Sequence, residues 1–159
     1  MFEYIHQFEY EYNKKKLLLE AQDSLGYEPY FDPWNNTYLR FWEIKHIKSG
    51  YGNYISEYFQ EILQCKIRPR FYHLHSGFKL DLHVDRGTLC SINFILNDTV
   101  DPIEFEHTTI SYSQAVLDVT KKHGVASSSD RYLFKMSISD KRFEEVSEII
   151  ENYKQLGEF

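Results

Sequence analysis

The chain has 159 residues, a length that favours one domain built around a single core. Hydrophobic residues make up 42% of it, with 13 Tyr and 12 Phe, which excludes a chain too polar to fold. The formal net charge of -6 disfavours nucleic acid as the main partner, because non-specific nucleic-acid affinity comes from Lys and Arg.

The cysteine content and the first residues indicate in which cellular compartment the protein is expected. Cys65 and Cys90 are too few and too far apart for a disulfide framework, so we interpret both as reduced thiols. Residues 1–6 have neither the basic nor the apolar region of a signal peptide, and no apolar run is long enough to span a bilayer. We therefore expect a cytoplasmic protein without a membrane partner.

The first 66 residues are predicted to form a helical and aromatic support for the rest of the chain. Alternating aromatic and acidic residues predict an edge strand at the start, and apolar residues spaced by three and four predict the longer helix. In chain order we predict an edge strand over 1–12, a helix over 13–23, a packed-down loop over 27–37, a strand over 38–47 and a helix over 53–65.

From residue 67 to residue 138 the pattern is that of β structure. Many short strands joined by short turns indicate a sandwich or barrel rather than βαβ units. The predicted strands cover 71–75, 78–84, 89–96, 103–106, 108–112, 115–120 and 131–137. A closing helix over 140–156 follows, with Asp140 as its predicted cap and an apolar stripe that begins at Phe143.

The stretch from Leu80 to Gly87 carries the first chemical signal. His83 and Asp85 lie two residues apart, so in an extended strand both side chains point to the same face. They supply two of the three ligands in the arrangement of two His and one carboxylate that suits non-haem Fe(II). His123, where a strand is predicted to enter a turn, is the candidate for the third ligand.

The last predicted strand carries the second signal. Arg131, Leu133, Lys135 and Ser137 share one face of it, and Tyr132, Phe134, Met136 and Ile138 share the other. A guanidinium inside a barrel needs an anionic partner, and a carboxylate that accepts two parallel N–H bonds matches its geometry. Arg131 is therefore a candidate site for an anionic ligand.

Several other residues are interpreted as structural. If Tyr72 faces the interior of the predicted barrel, His73 and His75 face away from it. We therefore predict that these two histidines lie on the exterior and do not form a metal site. Trp34 and Trp42 are predicted to pack, and Cys90 is predicted to lie in the core. Arg86 follows Asp85 at the rim of the site, where it is either a substrate contact or a surface charge.

Taken together, the order His83-Val84-Asp85, then His123, then Arg131 resembles the 2-oxoglutarate- and Fe(II)-dependent oxygenases. Tyr72, eleven residues before His83, matches a tyrosine of the prolyl-hydroxylase-like members. The segments 83–93, 123–125 and 130–131 look most like the aspartyl/asparaginyl β-hydroxylase branch and its small phage-encoded relatives, which would place the protein in a host cytoplasm. The resemblance covers roughly residues 70–138.

The resemblance implies a mainly β fold with flanking helices around a double-stranded β-helix, or jelly-roll, core. It implies that His83, Asp85 and His123 bind Fe(II) and that Arg131 pairs with the distal carboxylate of 2-oxoglutarate. Tyr72 would hydrogen-bond the same cosubstrate, and Asn93 occupies a position that can contact it. The implied reaction uses O₂, decarboxylates 2-oxoglutarate to succinate and hydroxylates a substrate.

Two alternatives stay open beside the oxygenase. Gly77 followed by His83 and Asp85 also resembles the first motif of a cupin-like metal-binding protein, although no Glu follows within residues 86–89. A non-catalytic jelly-roll protein, for binding or for a virion, is the other. The prime substrate is left open among an Asp, Asn or Pro side chain of a protein, a free amino acid and, less favoured by the acidic charge, a nucleobase. The sequence leaves the oligomeric state undetermined.

Overall fold

The computed structural model describes residues 3–33, 35–98 and 101–157, which form eleven strands and three helices. The strands are β1 (Ile5–Gln7), β2 (Glu28–Asp32), β3 (Thr37–His46), β4 (Ile67–Leu74), β5 (Lys79–His83), β6 (Cys90–Ile95), β7 (Ile103–Phe105), β8 (Thr109–Ile110), β9 (Gln114–Leu117), β10 (His123–Ala126) and β11 (Arg131–Ile138). The helices are α1 (Lys14–Gln22), α2 (Gly50–Leu63) and α3 (Phe143–Gln155). Trp34 lies outside the described residues.

The strands form two antiparallel sheets. The larger has seven strands in the order β1-β9-β6-β11-β4-β3-β2, and the smaller has four in the order β5-β10-β7-β8. Consecutive strands of the region 67–138 alternate between the sheets for most of its length, as in a double-stranded β-helix. The fold is therefore the mainly β jelly roll with flanking helices that the resemblance implies.

The main core lies between the larger sheet and the helices. Its buried members come from all three helices and from the central strands of the sheet: Leu17, Ala21, Ile55, Phe59, Leu63, Phe71, Ile92, Phe94, Val116, Phe134, Met136, Ile138, Phe143, Val146 and Ile150. Cys90 is fully buried in the same core, as predicted. Within the described residues, no helix is long and apolar enough to cross a membrane.

Two smaller apolar clusters lie between the sheets. One joins β1 and β9 to β7 and β8, and the other joins β3 and β4 to β5 and β10. The central strands β6 and β11 therefore face the smaller sheet across a space that neither cluster fills. That space is the cavity described below.

The structure corrects three local predictions. Residues 28–32, predicted as a loop, form β2, and Pro29 is tolerated there because β2 is the edge strand of the larger sheet. His123 begins the strand β10 instead of a turn. Helix α3 begins after Arg142, and Asp140, its predicted cap, instead accepts the backbone N–H of Lys66.

Candidate active site

Three potential metal ligands meet where β5 ends and β10 begins. His83 is the last residue of β5 and His123 the first of β10, and the two residues pair directly across these antiparallel strands. Asp85 follows two residues after His83, and its N–H donates to Val119 O at 3.1 Å. The sequence placed His83 and Asp85 on one side, and the strand pairing adds His123 to them.

The geometry of these side chains suits one bound metal ion. Asp85 Oδ1 lies 3.4 Å from His83 Nε2 and 3.2 Å from His123 Nε2. With metal–ligand bonds of about 2.0–2.2 Å, adjacent ligand atoms of an octahedral ion are about 3 Å apart. The Nδ1 atoms lie 2.8 Å from Asp81 O and 2.7 Å from Lys121 O, so each ring is oriented by a backbone carbonyl with Nε2 directed at the cluster.

Lys135 makes a close ion pair with the other oxygen of Asp85, Oδ2. Burial alone would raise the pKa of Asp85, but Lys135, together with hydrogen bonds from His123 and His83, holds that pKa well below its usual range. Burial opposes the charge of Lys135, and Asp85 outweighs this effect and raises the lysine pKa. Both groups are therefore ionised, and Lys135 orients Asp85 so that Oδ1 faces the histidines.

Sequence reasoning missed the role of Lys135. The alternation along β11 had assigned it to the same face as Arg131, and the structure confirms that assignment. The sequence pattern did not show which basic residue on that face lies beside the Asp85 carboxylate.

A cavity of about 270 Å³ opens next to the three ligands. This volume is near the lower end of the range of about 300–1,000 Å³ that is typical of small-molecule sites. Among the described lining residues Asp85 is the one carboxylate, whereas five are cationic: Arg68, Arg70, Arg86, Arg131 and Lys135. In a chain with a net charge of -6, this concentration of positive charge favours an anionic ligand.

The three residues expected to contact the cosubstrate all line this cavity. Arg131 is buried, and its Nη1 donates to Asp101 O at 2.7 Å. Tyr72 is buried, with its ring under the charged groups of Arg70 and Lys135 at 5.2 and 5.4 Å.

Asn93 is buried as well, but its amide already has protein partners. Its Oδ1 accepts from Ser91 Oγ at 2.9 Å, and its Nδ2 donates to Tyr112 OH at 3.1 Å. Tyr112 also lines the cavity, so the hydrogen bond from Asn93 positions the Tyr112 hydroxyl group at the cavity wall. Tyr112 had no separate signal in the sequence.

The first 66 residues contribute directly to this site. Trp42 on β3 lines the cavity, and its ring stands nearly perpendicular to that of Tyr72 at 5.5 Å and that of His83 at 6.2 Å. Tyr30 and Phe31 on β2 also line it. Arg86 lies on the cavity wall and is exposed, as expected of a residue at the rim. Trp42 therefore packs as predicted and also faces the candidate site.

A glycine allows the two histidine strands to approach each other. A Cβ at Gly124 would lie 2.5 Å from Leu80 O, inside any tolerated contact. The register between β10 and β5 shifts at this point, between His123 and Val125. Gly124 therefore permits the close strand contact beside the ligands.

One prediction about the remaining histidines is wrong. His73, expected on the exterior, is 9% exposed and covered by Tyr132, whose ring stacks on it at 4.3 Å. It does face away from the cavity, as the alternation along β4 predicts, but this outer face is packed rather than open at that position.

Comparisons with known proteins agree with this fold. No protein-family model matches the chain, and no curated protein matches it by sequence. Among solved structures, a prolyl-4-hydroxylase from Pseudomonas putida is similar with a TM-score of 0.61 and 13% identity, over 80% of this chain and 86% of that one. A 2OG-Fe(II) oxygenase family oxidoreductase from Burkholderia pseudomallei gives 0.52 and 12% identity, over 79% and 78%. KdgF from Halomonas sp. gives 0.47 and 13% identity, over 76% and 93%.

At these identities the similarity establishes the fold and nothing finer. The protein has the jelly-roll fold of the two oxygenase structures. Its chemistry must be argued from its own residues.

Proposed function

We propose that this protein is an Fe(II)- and 2-oxoglutarate-dependent dioxygenase that hydroxylates a substrate. One observation carries the proposal: His83, Asp85 and His123 converge on the wall of a cavity whose other charges are cationic. Two His and one carboxylate on one side of an ion are the ligands that non-haem Fe(II) enzymes use.

His83 Nε2, His123 Nε2 and Asp85 Oδ1 would hold the iron. These atoms lie within 4.8 Å of one another, and all three residues line the cavity. When bound, Fe(II) would couple the decarboxylation of 2-oxoglutarate by O₂, which yields succinate and CO₂, to hydroxylation of a C–H bond. Lys135 keeps Asp85 ionised and oriented for this task.

Arg131 would bind the distal carboxylate of 2-oxoglutarate. Its guanidinium has five N–H donors, and Asp101 O accepts from one of its nitrogens among the described residues. Arg131 is 5% exposed as a residue, so a carboxylate beside its guanidinium would be shielded from water. Tyr72 would donate a hydrogen bond to the same cosubstrate, and Asn93 would act through Tyr112.

The prime substrate would enter past the aromatic and charged rim. Trp42, Phe31 and Arg86 line the cavity, and Trp42 and Phe31 belong to segments outside the ligand set. We favour an aspartyl/asparaginyl β-hydroxylase-like activity on an Asp, Asn or Pro side chain of a protein or on a free amino acid. An anionic or polar amino-acid side chain matches the cationic wall better than an apolar one.

Anaerobic spectroscopy tests the metal and the cosubstrate together. Wild-type protein with Fe(II) and 2-oxoglutarate should develop the weak visible metal-to-ligand charge-transfer band of a chelated cosubstrate. The double variant His83→Ala with His123→Ala should lack it, and His46→Ala should retain it. His46 is a suitable control because it pairs with Glu28 at 3.7 Å and is not among the described residues that line the cavity.

Titration of the band with 2-oxoglutarate tests Arg131. Loss of a charge-assisted hydrogen bond costs about 1.5–3 kcal/mol, so Arg131→Gln should weaken 2-oxoglutarate binding roughly 10- to 150-fold. Exposed Arg40 is the control, and Arg40→Gln should bind normally. Absence of the band in the wild type would overturn the proposal and leave a cupin-like or non-catalytic jelly-roll protein. Succinate release in the presence of candidate peptides or amino acids would identify the substrate class.

A further inference from the structure

A second group of potential metal ligands lies on the larger sheet, on the face that is turned away from the cavity. Because side chains alternate along β4, Tyr72 faces the cavity while His73 and His75 project from the other face. Glu43 on β3 is the direct cross-strand neighbour of His73. These three residues form a cluster of two His and one carboxylate that shares no ligand with the first.

The distances within this outer cluster are close to those of a bound ion. Glu43 Oε2 lies 3.7 Å from His73 Nδ1 and 3.5 Å from His75 Nε2. With bonds of about 2.0–2.2 Å, the ligand atoms of a tetrahedral Zn(II) ion are about 3.3–3.6 Å apart. Both distances to Glu43 therefore lie within a few tenths of an ångström of the tetrahedral values, and all three ligand atoms lie within 4.8 Å of one another.

The imidazoles of the outer cluster have unmet bonding capacity. His73 is 9% exposed, yet its Nε2 and the Nε2 of His75 are both buried without a hydrogen-bond partner. A buried polar atom left in this state is destabilising, and most such atoms in native proteins have a partner. The two rings are close neighbours, with 4.1 Å between their centroids.

The charges around the cluster also call for a cation. Asp130 Oδ2 lies 3.6 Å from His73 Nε2, so two carboxylates face this ring. Within the described parts of the chain, neither Glu43 nor Asp130 forms an ion pair with Lys or Arg.

We propose that Glu43, His73 and His75 bind a divalent transition-metal ion of the Zn(II) class. Two imidazoles and a carboxylate are ligands of the kind and number found in three-residue zinc sites. Asp130 Oδ2 lies 3.6 Å from His73 Nε2, so after a small shift it would accept from this nitrogen and direct Nδ1 at the ion, which makes Asp130 a positioning residue. Its other oxygen, Oδ1, is fixed by the N–H of Ser76 at 2.9 Å.

The ion would cross-link three segments of the fold. It would join β3 to β4 through its ligands, and it would hold the loop before β11 through Asp130. Asp130 directly precedes Arg131, which opens β11. The role that follows is structural, since the site stabilises the position from which Arg131 enters the cavity.

Co(II) is the probe for this site, because it reports four-coordinate geometry by intense visible d–d absorption. In the His83→Ala, His123→Ala background, the protein should bind one equivalent of Co(II) with that absorption and release it to Zn(II). Adding Glu43→Gln or His73→Ala should weaken binding at least 100-fold, since each removes a ligand. Asp130→Asn should weaken it about 10- to 100-fold. His46→Ala, which removes a similar His–carboxylate pair on β3, should leave it unchanged.

Circular dichroism would verify that each variant is folded. If the background variant does not fold, stoichiometry decides: wild type should bind two equivalents of Co(II) and Glu43→Gln one. If His73→Ala does not fold, Glu43→Gln alone decides, because it preserves the shape of the side chain. The proposal is overturned if the background variant takes up no Co(II) or Zn(II), or if uptake survives Glu43→Gln. A proton shared between His73 and the carboxylates would then be the cation.

Discussion

Lys135→Met is the most informative single substitution at the candidate active site. Lys135 is 8% exposed and its ammonium pairs with Asp85, whose side chain is 14% exposed. Met preserves most of the volume and apolar stem of Lys, so the change removes charge with little loss of packing. Asp85 would be left as a buried carboxylate whose remaining partners are the two imidazoles.

The size of the effect follows from this burial. Removing one partner of a buried ion pair costs about 3–5 kcal/mol, whereas an exposed pair contributes about 0–1 kcal/mol. We expect Lys135→Met to lower the free energy of unfolding of the metal-free protein by about 3 kcal/mol or more. Lys79→Met is the control, because Lys79 is well exposed and 4.0 Å from Glu104, and it should cost less than about 1 kcal/mol.

A bound divalent ion would supply the missing positive charge. Saturating Mn(II) or Fe(II) should therefore reduce the loss of unfolding free energy caused by Lys135→Met. The loss caused by Lys79→Met should not change when metal is added. Urea unfolding followed by circular dichroism, with and without metal, gives both quantities. Equal costs for the two variants, or a deficit that metal does not reduce, would refute the assignment of Asp85 as a ligand held by Lys135.

Three further predictions concern the strand contact, a helix end and a thiol. Gly124→Ala should lower metal affinity at the His83 cluster in a metal titration, because its Cβ would meet backbone at 2.5 Å; unchanged affinity would contradict this. Glu20→Ala should cost about 1–2 kcal/mol in urea unfolding, because Glu20 accepts the Tyr51 N–H at 2.7 Å at the start of α2; no loss would refute that cap. Burial raises the pKa of Cys65 from 9.0 to about 11, so its alkylation by iodoacetamide at pH 8 should be roughly 100-fold slower in native than in unfolded protein; equal rates would show that the thiol is accessible.

Much of the candidate site could be predicted because it depends on local alternation. His83 and Asp85 share a side in any extended strand, and Arg131 shares a face with Lys135 for the same reason. The strand positions over 67–138 followed from short apolar runs between turn residues, and those runs match most of the observed strands.

The remaining features depend on tertiary contacts. His123 reaches His83 through strand pairing, and the sequence around His123 is as typical of a turn as of a strand. β2 contains a proline and becomes a strand because it lies at the edge of the larger sheet. Five cationic residues line the cavity, and Lys135 is the one that pairs with Asp85. This pairing depends on the tertiary structure, and the alternation of residues along a strand does not predict it.

The larger sheet connects the two clusters through residues that are adjacent in sequence. Three such pairs have one member on the cavity and one on the outer cluster: Trp42 with Glu43, Tyr72 with His73, and Arg131 with Asp130. Because a backbone shift in a paired strand moves adjacent residues together, we expect an ion on the outer face to stiffen the cavity wall that carries the proposed cosubstrate contacts. The first 66 residues contribute to both sides of the sheet, since β3 supplies Trp42 to the cavity wall and Glu43 to the outer cluster. Loss of the outer ion should therefore weaken binding of the proposed cosubstrate, whereas His83, Asp85 and His123 should still bind the inner metal. The two sites can be told apart because only the affinity for the cosubstrate should change.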